Sequence, residues 1–452
     1  MQSRIKDKII QQLTCDTAAM LLSLFIAFLF GHKGQFSFRY LTSYQYGIIT
    51  LLIVTFCFLI IFDAYSVHRT PSTLREPLQI GLAILLSAIS TTFVFFFFRD
   101  TVPRAVFIIF YAYSFMLIVL LRHFVNRDIR NKTIKVLIVG GGERCAELAR
   151  MIRERTYLHT EVVGYLSDDV DSFQEQYYKR LGSVADLLSV KDEQKVDHVI
   201  VAVEPLTEKL TADLFDCMQN RIQVTKINNA IEHITGKIPI KYLTDSWFIL
   251  EFCHIDKKYF WYGKRMFDIA IALTGMLFAL PLFLLAAVAI KLDSRGPIFY
   301  KQSRIGRGNR PFNVWKLRTM VNGADRNNVH WTLENDNRIT RAGKILRKTR
   351  IDEMPQLLNI ITGDMSLIGP RPEAVSLVEK YMQEIPFYLE RHMISPGITG
   401  WAQINYRYGN SVKDTEQKLM FDFYYIKNRS IILDSIIFLR TIRTVLTGKG
   451  AM

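Results

Sequence analysis

The sequence predicts a three-part chain: a membrane-spanning α-helical bundle, a Rossmann-like α/β domain, and a mixed, mainly α-helical domain that carries one more apolar helix. Three observations predict it. Half of the 452 residues are hydrophobic while 22% are charged, which is too polar for a pure multi-span transporter and too apolar for a disordered chain. The apolar residues are gathered into stretches of roughly the 20 residues a bilayer requires, four before Arg122 and one after Lys264. The charge is gathered as well: of a net charge of +15, the 30 basic and 17 acidic residues of Asp256–Met452 contribute +13. At a prior of roughly 150 residues per domain, the length suits about three units.

Residues 1–130 are expected to form four transmembrane helices, at about Leu13–Phe30, Tyr46–Phe62, Leu78–Phe98 and Ala105–Leu121. No small-residue cleavage site follows the first and three similar segments do, so it is a span and not a signal peptide. Arg4, Lys6 and Lys8 precede the bundle, Arg69 and Arg75 divide it, and Arg122, Arg127, Arg130, Lys132 and Lys135 close it. The positive-inside rule therefore puts both ends in the cytoplasm, against a smaller opposing set of Lys33, Arg39, Arg99 and Arg104.

Residues 131–250 change texture. Val136-Leu137-Ile138-Val139 reads as a buried strand, followed by Gly140-Gly141-Gly142 and a helical stretch Cys145–Arg153. Further strand-like runs are Val162–Leu166, Val199–Val203 and Gln223–Ile227. This alternation is that of a Rossmann-like unit, about Lys135–Lys237 at its core.

Residues 251–452 form the third part. Met266–Ile290 is long enough to cross a membrane, but Pro281 sits in its middle and Lys264, Arg265, Lys291 and Arg295 flank it on both sides. A proline-kinked span and a segment that enters and turns back both fit. The strongly basic sequence that follows belongs on the cytoplasmic side and favours a re-entrant helix over 266–291, broken at Pro281. At the end of the chain, Ser430–Leu446 sets Ile431, Ile432, Ile436, Ile437, Leu439 and Ile442 against Arg440 and Arg443, the pattern of a membrane-surface helix or of a core helix. The five cysteines have no CxxC spacing and imply neither a disulfide frame nor a zinc site.

Two constellations could carry chemistry. The glycine turn resembles a dinucleotide fingerprint, but Cys145 stands where Gly or Ala would close it. No Tyr precedes a Lys by four positions, and no GxxxxGK[ST] occurs. A tight strand-to-helix turn is the favoured reading. The second constellation is stronger. Arg295–Arg350 holds 14 basic residues against Asp325, Glu334 and Asp336, a cluster suited to phosphates or anionic headgroups. Arg347-Lys348-Thr349-Arg350 runs straight into Asp352-Glu353, so the cations can bind a diphosphate while the acids hold Mg²⁺ or attack phosphorus. Arg371, locked between Pro370 and Pro372, suits the holding of a fixed anion.

KRMFD (Lys264–Asp268), the Pro281 segment, GPIFYKQSRIGRGNRPFNVWKLRTM (Gly296–Met320), RIDEMPQLLNI (Arg350–Ile360), GDMSLIGPRPE (Gly363–Glu373) and PGITGWAQINYRYG (Pro396–Gly409) together resemble the bacterial sugar transferase family. These are the monotopic polyprenyl-phosphate hexose-1-phosphate transferases, and the resemblance covers Tyr262 to the end of the chain. It implies transfer of hexose 1-phosphate from a UDP-hexose, glucose before galactose, to undecaprenyl phosphate at the cytoplasmic face of the bacterial inner membrane, with release of UMP. It makes Asp352 the nucleophile and an Mg²⁺ ligand, Glu353 its partner, and Lys316, Arg318, Arg347, Arg371 and Arg407 the anion holders. The bilayer is the implied partner, and the membrane segments beside the basic window disfavour nucleic acid. A homodimer through the spans is left open, as is any ligand of the middle domain. The competing reading is a membrane-attached nucleotide-sugar dehydratase or epimerase that uses the glycine-rich domain; a third is a non-enzymatic scaffold.

Overall fold

The computed structural model describes residues 2–31, 38–62, 64–65, 75–98, 102–130, 133–154, 160–169, 178–252, 258–321, 338–406, 409 and 411–446. It divides into two compact units, Met1–Gly236 and Lys237–Met452.

The first unit opens with α1 (Gln2–Gly31), α2 (Phe38–Ser43), α3 (Gln45–Ile61), α4 (Arg75–Phe98) and α5 (Arg104–Arg130). Segments of α1, α4 and α5 are long and apolar enough to cross a membrane. The second expected span is the short one: α3 has 17 residues, about 26 Å at 1.5 Å per residue. Phe93, Phe96, Phe97 and Ile108 point outward, whereas Ala19, Ala27, Ala83, Ser23, Ser87 and Thr91 are buried. Met20, Phe28, Leu51 and Phe110 are buried with them, and the small residues between let the helices approach closely. One charged group is buried among them. Arg122 of α5 forks onto both oxygens of Asp16 of α1 and also donates to the Ala64 carbonyl at 2.6 Å, while the Tyr65 hydroxyl donates to Asp16 at 2.7 Å.

The unit continues through β1 (Ile134–Val139), α6 (Glu143–Glu154), β2 (Thr160–Leu166), β3 (Arg180–Gly182), α7 (Leu187–Gln194), β4 (His198–Val201), α8 (Glu208–Gln219), β5 (Gln223–Lys226) and α9 (Ile227–Thr235). The strands form a parallel five-stranded sheet in the order β3-β2-β1-β4-β5. Alternation along β1 explains its unbroken apolar run. Val136 and Ile138 enter one core with α6 and α9, and Leu137 and Val139 enter another with α7 and α8. The sequence gives no sign of β3, since three residues are too few to carry a period.

The second unit comprises α10 (Asp245–Phe252), α11 (Lys258–Asp293), β6 (Phe299–Ile305), β7 (Pro311–Leu317), α12 (Arg341–Lys348), α13 (Gln356–Thr362), β8 (Ser366–Ile368), α14 (Val375–Glu384), β9 (Gly397–Thr399), α15 (Trp401–Asn405), α16 (Val412–Asn428) and α17 (Ile431–Leu446). The boundary differs from the one expected at residue 250. Ile238, Ile240 and Phe252 are buried in the core of this unit, with Trp247 and Phe248 packed against it. Hydrophobic demand for a common core, and not the change in sequence texture, sets the boundary.

Pro281, where the break is expected, lies inside a single 36-residue helix, α11, with helical turns on both sides of it. A proline costs one backbone hydrogen bond, and long apolar arms on both sides offer the freed carbonyl no better alternative than to stay helical. One face of α11 is buried through Asp268, Ala272, Ala279, Ala286 and Ile290; Leu273, Leu277, Phe278, Leu284, Leu285 and Val288 on the other are exposed. Both ends are fastened to the same unit. Near the start, Arg265 donates to the Ile360 and Ile361 carbonyls of α13, and Asp268 accepts from the Ser366 hydroxyl at 2.7 Å. At the far end, Asp293 accepts from the Ala342 amide of α12 at 2.8 Å, and Ile290 packs with Leu317 and Leu346. The last helix, α17, buries Asp434 and Ile437 and exposes Ile431 and Ile432.

Candidate active site

The chain builds a carboxylate pair between two helices. Helix α12 ends at Lys348 with Thr349 as its C-cap, and Arg350 takes a left-handed conformation, φ 58°. A non-glycine residue there costs about 1 kcal/mol or more. It turns the backbone sharply into the single 3₁₀ turn Ile351–Glu353 before Pro355 opens α13. That turn buries Asp352 and aims Glu353 at the cations around it.

Those cations come from three directions. Arg371 Nη2 donates to Glu353 Oε1 at 2.8 Å. Lys316 Nζ on β7 lies 3.8 Å from the same oxygen, and Arg350 Nη1 lies 3.7 Å from Oε2. Burial works to raise the Glu353 carboxyl, but Arg371, Lys316 and Arg350 outweigh it and hold the group well below the usual carboxylate range. Asp352 is the opposite case. Burial first, and then the charge of Glu353, push its carboxyl up to about 6 against the pull of Lys316, Arg347 and Arg350. Its Oδ1 is buried and has no hydrogen-bond partner among the described residues. Burial, with Arg304 and Arg371 nearby, brings the Lys316 ammonium down to about 8. Two adjacent carboxylates are thus pushed apart by their surroundings, a division that recurs where acids take separate chemical roles.

The expected anion holders are sorted by the structure. Lys316, Arg371 and the Asp352–Glu353 pair come together. Arg347 joins them through its charge on Asp352, and its Nε is held by the Thr319 hydroxyl at 2.8 Å. Arg318 does not join. Strand β7 stops at Leu317, and the Arg318 guanidinium turns to the end of α11, donating to the Arg295 carbonyl at 3.1 Å and the Ser294 carbonyl at 2.8 Å. The open carbonyls of a helix C-terminus claim it. Arg407 lies outside the described residues. Two side chains that the sequence reading passed over are structural anchors. Asn359 accepts from the Trp315 amide at 3.1 Å and donates to the Asn313 carbonyl at 2.8 Å, bolting α13 to the strand that carries Lys316. Arg304 donates to the Pro372 carbonyl beside Arg371. An Asn in an apolar helical motif was the one available signal for the first. His392 bonds Asn309 at 2.7 Å, and Trp401 stacks on Tyr424, so both serve packing.

The glycine turn of the other unit is less equipped. Gly140 and Gly142 take positive φ, and Cys145 is fully buried where the fingerprint needs Gly or Ala. Glu143 occupies the first turn of α6, where a phosphate would have to sit.

Comparison with known proteins bears on both units. Residues 259–448 match the family model described as bacterial sugar transferase, and residues 60–213 match one described as a CoA-binding domain. A UDP-glucose:undecaprenyl-phosphate glucose-1-phosphate transferase of Klebsiella pneumoniae is 32% identical over 388 residues, 83% of this chain and 80% of that protein. The chain belongs to the bacterial sugar transferase family. A UDP-N-acetylgalactosamine-undecaprenyl-phosphate N-acetylgalactosaminephosphotransferase of Aeromonas hydrophila is 43% identical over 235 residues, and there the match spans 52% of this chain and 55% of the relative. An exopolysaccharide production protein of Rhizobium leguminosarum is 41% identical over 194 residues, 41% of this chain but 97% of that protein.

Proposed function

We propose that this protein transfers hexose 1-phosphate from a UDP-hexose to undecaprenyl phosphate, through a covalent aspartyl-phosphosugar intermediate, and so starts the assembly of a polysaccharide on the inner membrane. The observation that carries the reading is Asp352: a buried carboxyl with one unpartnered oxygen, beside a Glu353 whose charge three cations already absorb. An oxygen of Asp352 attacks the sugar-bearing phosphorus of the donor. The diphosphate bridge breaks and its oxygen leaves with UMP. A phosphate oxygen of the lipid acceptor then attacks the same phosphorus, breaks the bond to Asp352 and frees the carboxylate. Lys316, Arg347 and Arg350 offset the negative charge that gathers at phosphorus. Glu353, fixed by Arg371, orders those cations.

The donor set suits Mg²⁺. This ion prefers one or two carboxylates completed by substrate phosphates and waters, and the free Asp352 oxygen supplies one while Glu353 is engaged. Bound there, the ion would screen the diphosphate charge.

A water-soluble donor and a lipid acceptor must meet at the interface, and α11 supports that arrangement as a re-entrant helix. Its two ends hold the same basic unit, its inner face lies against that unit, and its outer face is apolar. The Rossmann-like reading of the middle domain rests on the parallel strand order and gives it a structural role. Among relatives the donor varies between UDP-glucose and UDP-N-acetylgalactosamine. The deciding assay is UMP release by the solubilised protein from each donor, with and without undecaprenyl phosphate and Mg²⁺. Acceptor-dependent release is expected, and Asp352→Asn should abolish covalent labelling by a sugar-labelled donor. Labelling that survives in the variant would refute the assignment.

A further inference from the structure

The strap that presents Arg371 is held almost wholly through its carbonyls. Pro370 and Pro372 have no N–H to give. The Pro370 carbonyl accepts from the Gly397 amide at 2.9 Å and the Glu373 carbonyl from the Ile305 amide at 3.1 Å. Between them, the Pro372 carbonyl accepts from Arg304, and the Arg371 carbonyl from Arg391 Nη2 at 3.1 Å.

Arg391 is the unusual donor. It sits in the 3₁₀ turn Tyr388–Met393 and is only 4% exposed. The same Nη2 lies 2.7 Å from Asp422 Oδ2 on α16, a carboxylate that is itself 2% exposed. Nη1 donates to the Tyr388 hydroxyl at 2.7 Å, and Nε is buried with no acceptor among the described residues. Glu373 and Lys418 also act on this group of charges. A fully buried ion pair with an orphaned N–H is a poor source of stability, since well-packed apolar side chains commonly do as well. What the pair obtains is a fixed position for one carbonyl, and it belongs to the arginine that holds Glu353.

We propose that Arg391, with Asp422 as its counter-ion, is a positioning residue that sets the Pro370-Arg371-Pro372 strap so that Arg371 meets Glu353 beside Asp352. The inference rests on the transferase reading and adds to it two residues that touch neither carboxylate of the dyad.

The test uses the full-length solubilised protein and acceptor-dependent UMP release. Asp422→Asn leaves the guanidinium an acceptor but removes its counter-charge. The expected result is a kcat lower by roughly tenfold with the donor KM within about twofold, because the interaction lost matters in the reacting step while Lys316 and Arg347 still face the donor. Asp422→Glu, which restores a carboxylate, should recover most of kcat. Melting temperatures are measured alongside. If Asp422→Asn does not fold, Tyr388→Phe, which removes one neutral acceptor from the same guanidinium, carries the test with the same expected split. An unchanged kcat in a folded variant, a loss confined to KM, or no recovery in Asp422→Glu overturns the inference. A wild type that releases no UMP with any donor refutes the transferase reading and this inference with it. A working wild type beside unaffected variants removes this inference alone.

Discussion

Asp352 carries its cost openly. Its folded-state pKa, about 6, lies above the ordinary value of 3.8, so the fold disfavours the ionised form; the penalty is absent below the ordinary value and complete once pH rises past about 6. Removing the charge should therefore stabilise the protein at neutral pH by up to about 3 kcal/mol. Asp352→Asn is expected to melt higher than wild type in metal-free buffer while losing activity, and a lower melting temperature would contradict the burial argument. Asp352 and Lys316 together define a pH profile. UMP release should fall as pH drops through about 6, where Asp352 takes up its proton, and again above about 8, where Lys316 loses its charge. Lys316→Arg should remove the alkaline fall and leave the acid one. Arg318 makes a contrasting case: Arg318→Met should lower the melting temperature, since it strips the partner from the Ser294 and Arg295 carbonyls at the end of α11, without raising the donor KM.

At the scale of the element, α11 is decided by its two faces. Ala272, Ala279 and Ala286 let it lie close to the unit that follows, and a Cβ added at Gly275 would stand 3.3 Å from Leu357. Ala279→Leu should overpack this contact and cost about 1–3 kcal/mol, read as a lower melting temperature with membrane attachment intact. The re-entrant arrangement has its own test. In a cysteine-free background, cysteines at Tyr262 and Leu292, both exposed, should be labelled by an impermeant reagent from the same side of the membrane. Labelling from opposite sides would make α11 a crossing helix.

For the whole molecule, the division after Gly236 predicts that a chain starting at Lys237 keeps acceptor-dependent UMP release. A chain starting at Lys258 should be markedly less stable, because it lacks Ile238, Ile240 and Phe252 from the shared core. Equal stability of the two, compared by thermal melting in one detergent, would show that residues 237–257 are only a linker.

Much of this was written locally. The apolar stretches, the parallel-sheet strands of four or more residues and the placing of Asp352 and Glu353 beside cations follow from periodicity, length and adjacency, all of which act between near neighbours in the chain. The tertiary structure decided what depends on competition between distant groups. The period of a strand puts Lys316 and Arg318 on one side, yet an unsatisfied helix end 23 residues away takes Arg318 for itself. Asp352 and Glu353 are indistinguishable as a dipeptide, and only the placing of Arg371 and Lys316 by other elements gives them opposite shifts. Pro281 signals a break, but the length of apolar helix around it absorbs one missing hydrogen bond. Asp422 lies in an apolar run of α16 with nothing nearby to mark it, and its partner Arg391 comes from 31 residues away. Pairs of this kind are invisible in sequence because burial, which makes them matter, exists only once the chain has folded.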